Sequence, residues 1–290
     1  MDKNNIVIPF TVCDAEVKGR IVRLDQELDL ILKQHQYPEL IAKILGELLI
    51  VVSMIGSQFK DDITFSVQLR TKGKVKYIVA DYKYPGDIRG YASFKEDEDF
   101  KDESYQSLVQ DALLVVTLDQ NNKSNQRYQG MVEVGSQSIS EAMEEYFSKS
   151  EQIATSFKIS IGNIMVPGKQ KAWCAGGIMI QKMPEDKHEN AWDEAQIFFR
   201  TVKDHELLDS QLSIETLLYS LYHELNIKIY EDIEITHKCR CSRDKVEEVI
   251  KSFGIEEATS LLIDGKISVN CQFCNTSQEF SKNEINKIFL

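Results

Sequence analysis

Two close cysteine pairs, Cys239-Arg240-Cys241 and Cys271-Gln272-Phe273-Cys274, stand near the end of this 290-residue chain with 29 residues between them. Four thiolates are the ligand set that zinc favours in a closed structural site, at about 2.3 Å per bond, so two short pairs meeting in space would complete one tetrahedral shell. The CxxC spacing is ordinary for such a site, whereas CxC is unusual. Residues i and i+2 of an extended segment face the same way, which lets one ion hold both sulfurs; a local bend would also bring them within disulfide range. The four thiols can therefore serve as a ligand set or as two disulfides, but not as both at once. A thioredoxin-like dithiol is a third use. It wants CxxC opening a helix after a parallel strand, and Asn275-Thr276-Ser277-Gln278 after Cys274 reads instead as hairpin. Lys238 and Arg240 favour the anionic form of the neighbouring sulfurs, and His237 is a possible minor ligand. Cys13 and Cys174 stand alone and read as small, partly buried apolar residues rather than reactive thiols.

Other chemistry is missing from the pattern. His205-Glu206-Leu207 and His223-Glu224-Leu225 lack the second histidine of a zinc-protease helix, and neither a GxSxG elbow nor a GxxxxGK[ST] phosphate loop occurs. The chain is accordingly expected not to be an enzyme and not to run on ATP. Its formal net charge is -12, and residues 237–290 hold eight Lys and Arg against eight Asp and Glu, so the whole excess lies before them. Nucleic-acid binding by a zinc ribbon needs a basic footprint, and none is present. The apolar run after Met1 is too short for a secretory signal and no stretch is long enough to span a membrane, which points to the cytoplasm. Thiols stay reduced there, so paired cysteines are expected to be metal ligands or redox sensors.

Elements that must position the cysteines follow from periodicity. A strand at 6–10 precedes a helical segment over Leu28–Phe59, where Leu40, Ile41, Ile44, Leu45, Leu48 and Leu49 are spaced for a buried face. Strands are expected at Ile63–Arg70, Val75–Asp81, Ala112–Leu118, Gln129–Val134, Phe157–Ile164 and Ala172–Lys182, with an acidic, solvated loop over Lys95–Glu103. Ser138 or Ser140 would cap a helix running to Lys149. Met183-Pro184-Glu185-Asp186 marks a boundary, after which amphipathic helices fill Asn190–Leu225. The plain expectation is that they complete the core of the main domain. A short strand over Ile227–Ile235 leads to Cys239, short helices follow at Arg243–Phe253 and Glu256–Ile263, and a hairpin over Lys266–Phe280 holds Cys271 and Cys274 near its turn.

The chain resembles the heat-shock protein 33 family of redox-regulated holdase chaperones. His237-Lys238-Cys239-Arg240-Cys241-Ser242-Arg243 and Val269-Asn270-Cys271-Gln272-Phe273-Cys274-Asn275 match its zinc-binding end, and Asp62–Leu69, Ile88-Arg89-Gly90-Tyr91, Arg127-Tyr128-Gln129-Gly130, Ala175-Gly176-Gly177 and Leu221-Tyr222-His223-Glu224 fall in family order. The resemblance implies an α+β protein: a mixed α/β domain over 1–183, a metastable helical linker over 184–236 and a small zinc-binding domain over 237–290. It also implies that Cys239, Cys241, Cys271 and Cys274 bind one zinc when reduced and form the disulfides Cys239 with Cys241 and Cys271 with Cys274 when oxidised. Loss of zinc would then unfold the carboxy-terminal domain and free the linker to bind unfolding clients. Family members dimerise when active and pass clients to an ATP-dependent refolding chaperone. Departures are the missing aromatic after Cys274 and the two additional cysteines, Cys13 and Cys174. A constitutive protein-binding module with a purely structural zinc, and a thiol oxidoreductase using Cys271 and Cys274, remain the competing functions.

Overall fold

A computed structural model describes residues 4–120, 127–135, 138–164, 171–184 and 190–289, so the expected boundary at Glu185-Asp186 lies outside the described residues. The chain opens with a hairpin, Ile6–Val12 (β1) and Val17–Leu24 (β2), in register from Ile6 with Arg23 to Val12 with Val17. Alternation sends Ile6, Ile8, Phe10 and Val12 to one apolar cluster and Val7 to another, so β1 is buried on both faces. The helix expected over Leu28–Phe59 is in fact two, Gln26–Lys33 (α1) and Glu39–Gly56 (α2). Pro38 is the reason: it lacks an N–H and crowds a helix interior, so it stands at the amino-terminal cap of α2. In α2, 14 of 18 residues are buried, and a helix apolar on every side must be enclosed.

Two sheets enclose it. Ile63–Arg70 (β3), Val75–Lys83 (β4), Asp87–Phe94 (β5), Leu113–Gln120 (β6) and Arg127–Glu133 (β7) form one, in the order β5-β4-β3-β6-β7, with the short helix Tyr105–Val109 (α3) between β5 and β6. The acidic loop after β5 is tied down by Lys74, whose Nζ pairs with Glu103 at 2.8 Å. Ser138 caps Ile139–Tyr146 (α4) in a reciprocal box with Glu141. Thr155–Ile164 (β8) and Ala172–Lys182 (β9) then extend the first sheet to β1-β2-β9-β8. Strands of both sheets touch α2, which places the main core between them.

The outer face of the first sheet is covered by Ala191–Phe199 (α5), Asp204–Leu208 (α6) and Ile214–Tyr222 (α7). Ala195, Phe199, Leu207, Leu217, Leu218 and Leu221 pack there against Ile8, Phe10, Ile21, Ile178 and Ile180, so the amphipathic stripes do complete a core. The strand expected over Ile227–Ile235 is broken into pieces. Lys228–Ile229 (β10) and Ile233–Glu234 (β11) pair with β1, whereas Thr236–His237 (β12) pairs parallel with β5. This strap thereby occupies an edge of each sheet. Gly86 admits it, since a Cβ there would stand 2.0 Å from the Glu234 carbonyl oxygen.

The chain divides into two compact units, Met1–His237 and Lys238–Leu290. The second holds Arg243–Phe253 (α8), Ile255–Ser260 (α9), the hairpin of Lys266–Asn270 (β13) with Ser277–Ser281 (β14), and Lys282–Ile288 (α10). Among its described residues the buried core is Ile250, Ala258, Ile267, Phe280 and Ile285, with Val246, Leu262, Val269, Ile288 and Phe289 partly buried against it. No described helix is long and apolar enough to cross a membrane.

Candidate metal centre

Two turns of the smaller unit supply the sulfurs. Cys239 and Cys241 sit just before α8, whose start is fixed by the Ser242 hydroxyl accepting from the Lys245 N–H at 3.3 Å. Cys271 and Cys274 occupy the turn between β13 and β14. There the Asn275 N–H donates to the Cys271 carbonyl at 2.8 Å, the Cys271 N–H donates to the Thr276 carbonyl at 3.0 Å, and Asn275 takes the left-handed conformation with φ 54°. The hairpin expected around this pair is present, and no helix opens at Cys271, as the thioredoxin-like reading required. Arg243 ties the start of α8 to β14 and α10: its guanidinium lies 4.1 Å from the Phe280 ring centre and pairs with Glu284 at 2.7 Å.

All four sulfurs lie within 4.8 Å of one another, with Cys239 and Cys271 at 3.6 Å and Cys241 and Cys274 at 3.4 Å. A tetrahedral shell with bonds of about 2.3 Å needs sulfurs about 3.8 Å apart, so the group is close to the size that a zinc ion demands. None of the six cysteines is in a disulfide. Electrostatics agree with a cation site. Burial opposes ionisation of Cys274, yet the Thr276 hydroxyl and N–H and the Cys241 and Cys239 thiols outweigh it and draw the thiol down to about 6. Burial, together with the neighbouring thiols, pushes Cys241 far up, and Cys239 is also raised, chiefly by burial. A divalent ion at the centre of the group would favour the anionic form of its sulfurs, because coordinated thiols are deprotonated outright. These residues can hold a metal ion.

The remaining candidates fall elsewhere. His237 is not in the group: its Nε2 stands 3.4 Å from Gln34 Nε2 in the larger unit, and its N–H donates to Glu27. Cys174 is buried against the Gly162 carbonyl, and Cys13 stands 3.7 Å from the Ala191 carbonyl. Both thiols are raised to about 11, chiefly by burial, consistent with packing residues.

Sequence reasoning missed what holds the helices onto the first sheet. Arg23, 3% exposed, donates from Nε to the Leu207 carbonyl at 3.1 Å, from Nη1 to Leu212 at 2.7 Å and from Nη2 to Glu206 at 3.1 Å. A cation thereby meets the carbonyl end of α6, where the helix dipole favours it. The Gly176-Gly177 pair works on opposite faces of β9. A Cβ on Gly176 would stand 2.3 Å from the Leu207 carbonyl oxygen, and one on Gly177 would stand 2.5 Å from Ile50 of α2. The available signal was Arg23 directly after Ile21-Val22 and directly before Leu24.

Fold and site together define a two-unit protein: a helix enclosed between sheets with a helical cover, and a small unit built around four converging cysteines. The family model described as Hsp33 protein matches residues 5–281, and the chain belongs to that family. It is 33% identical to the 33 kDa chaperonin of Caulobacter vibrioides, over 94% of this chain and 93% of that one. It is 34% identical to the 33 kDa chaperonin of Shewanella loihica, over 95% of this chain and 92% of that one. The crystal structure of the Thermotoga maritima 33 kDa chaperonin shares the fold, with a TM-score of 0.85 at 22% identity over 99% of this chain and 98% of that one.

Proposed function

We propose that this chain is an ATP-independent holdase chaperone, held inactive while Cys239, Cys241, Cys271 and Cys274 bind zinc and activated when they are oxidised. The convergence of the four sulfurs in a unit whose own core is five buried side chains carries the reading. A bound zinc supplies a cross-link among four thiolates, a contribution of about 10 kcal/mol or more in small zinc domains. Oxidation of the four sulfurs to the disulfides Cys239 with Cys241 and Cys271 with Cys274 passes four electrons to two molecules of peroxide, which leave as water. The sulfurs then release the ion, and so small a core cannot hold the unit folded alone.

The consequence for clients lies in the larger unit. Unfolding from Lys238 onward removes the anchor beyond the strap, and α5–α7 then detach from the first sheet. Their stripes and the face formed by Ile8, Phe10, Ile21, Ile178 and Ile180 become a contiguous apolar surface for unfolding proteins. Two activated chains associate as a homodimer, and clients pass to an ATP-dependent refolding chaperone in the cytoplasm. A constitutive module draws support from apolar side chains already exposed in the smaller unit, Ile263 at 78% and Val249 at 54%.

Suppression of a client's thermal aggregation, measured with zinc release before and after peroxide treatment at raised temperature, separates the two. The switch requires activity to appear with zinc release; full activity in the reduced, zinc-loaded chain would establish the constitutive module instead.

A further inference from the structure

A cavity of about 1130 Å³ in the larger unit opens beyond the carboxyl end of α2, between the sheets and beneath the strap. Lys18 and Arg20 line it from β2, two residues apart and therefore on one face of the strand. Arg20 Nε is buried with no hydrogen-bond partner. Burial lowers Arg20 to about 10 against the ordinary guanidinium value, and Lys18 is lowered by burial and by Arg20 itself. Two like charges thus stand together, part-buried, with no carboxylate among the groups that act on either. Glu231, Asp232 and Glu234 also border the cavity but are exposed on the strap, and Asp87, half-buried at the start of β5, makes no ion pair with Lys18 or Arg20. Uncompensated buried charge is a cost that folding alone gives no reason to keep. Tyr84 and Tyr230 line the same cavity at 43% and 42% exposure, placing aromatic rings at its rim.

We propose that this cavity binds a small phosphate monoester whose ester group is a flat ring, with the phosphate on Arg20 and Lys18 and the ring against Tyr84 and Tyr230. The guanidinium fork matches phosphate oxygens in pairs, and the ammonium adds a point charge beside it. At about 1130 Å³ the cavity lies just above the usual small-molecule range of about 300 to 1,000 Å³, and a small ester would fill part of it. The net charge of -12 acts mostly from carboxylates beyond the cavity, which are screened over about 8 Å at physiological salt, while Lys18 and Arg20 stand part-buried beside the ligand.

Phenyl phosphate and inorganic phosphate, titrated calorimetrically into the reduced, zinc-loaded full chain, test the site. Phenyl phosphate is expected to bind saturably and at least severalfold more tightly than inorganic phosphate. Arg20→Met should weaken it tenfold or more without lowering the thermal midpoint, since it removes an unpaired charge. Should that variant fail to fold, Arg20→Lys, which keeps the charge and loses the fork, is expected to weaken binding severalfold. Lys72→Gln, in the exposed turn before β4, should leave affinity unchanged. No saturable binding of either probe, or equal binding by the Arg20 variants, would overturn the site; equal affinity for both probes would overturn the aromatic part.

Discussion

At pH 7 a thiol with a pKa near 11 is ionised in about one molecule in ten thousand, and the thiolate is the form that attacks peroxide. Cys13 and Cys174 both sit at about 11, whereas the four clustered sulfurs would be thiolates whenever a metal is bound. Isotope-coded alkylation after graded peroxide treatment should therefore show Cys239, Cys241, Cys271 and Cys274 oxidised before either isolated cysteine; early loss of Cys174 would contradict this order. A second titration belongs to the core. Glu47 accepts from the Tyr105 hydroxyl at 2.7 Å, and burial, opposed by that bond, raises its carboxyl from 4.5 to about 7. The folded chain then holds a proton that the unfolded chain gives up above about pH 4.5, so stability is full below that value and falls as pH rises toward 7. The loss is up to roughly 3 kcal/mol, because each tenfold difference in proton affinity between the folded and unfolded chain is worth about 1.4 kcal/mol. Glu47→Gln keeps a neutral partner for Tyr105 and should flatten that slope in urea titrations between pH 5 and 7.5.

Among the elements, α6 is short enough for the groups that hold it to be named one by one. It is five residues long, with the Arg23 guanidinium at its carbonyl end and Gly176 beneath Leu207. Arg23→Ala leaves three carbonyls short of a donor, a cost of roughly 3 kcal/mol. Gly176→Ala presses a methyl into the Leu207 carbonyl, and overpacking of that kind costs about 1 to 3 kcal/mol. Each should lower hydrogen-exchange protection over residues 204–222 and raise aggregation suppression by the reduced protein, while Arg200→Ala, exposed just past the carboxyl end of α5, should do neither. Protection unchanged in both would mean that the cover is held by its apolar contacts alone.

The same elements show what the sequence could reveal. The strand alternation of β3 and the apolar density of α2 were plain because both bury what they appear to bury. Val17–Leu24 escaped recognition as a strand because Lys18, Arg20 and Arg23 read as surface, whereas they face a cavity and a helix end. The cysteine turns were legible because metal ligation constrains type and spacing together. Arg23 was not, since its three acceptors are backbone carbonyls more than 180 residues away.

At the scale of the whole molecule, two units differ sharply in what holds them. Among the described residues, Met1–His237 has two apolar clusters and an enclosed helix, whereas Lys238–Leu290 has five buried apolar side chains and four converging sulfurs. Chelation of the reduced chain should therefore remove helical signal from α8, α9 and α10 and, in a Trp192→Phe background, leave the near-ultraviolet signal of Trp173 on β9 largely intact; global, single-step unfolding on metal loss would contradict a division of stability. Central to the account is the coupling between sulfur oxidation and the release of α5–α7. Hydrogen exchange, compared between the reduced zinc-loaded chain and the oxidised zinc-free chain, reads it directly. Protection should collapse over residues 191–225 as well as 238–289 while α2 and β3 keep theirs, and an oxidised chain that suppresses aggregation with 191–225 still protected would contradict it.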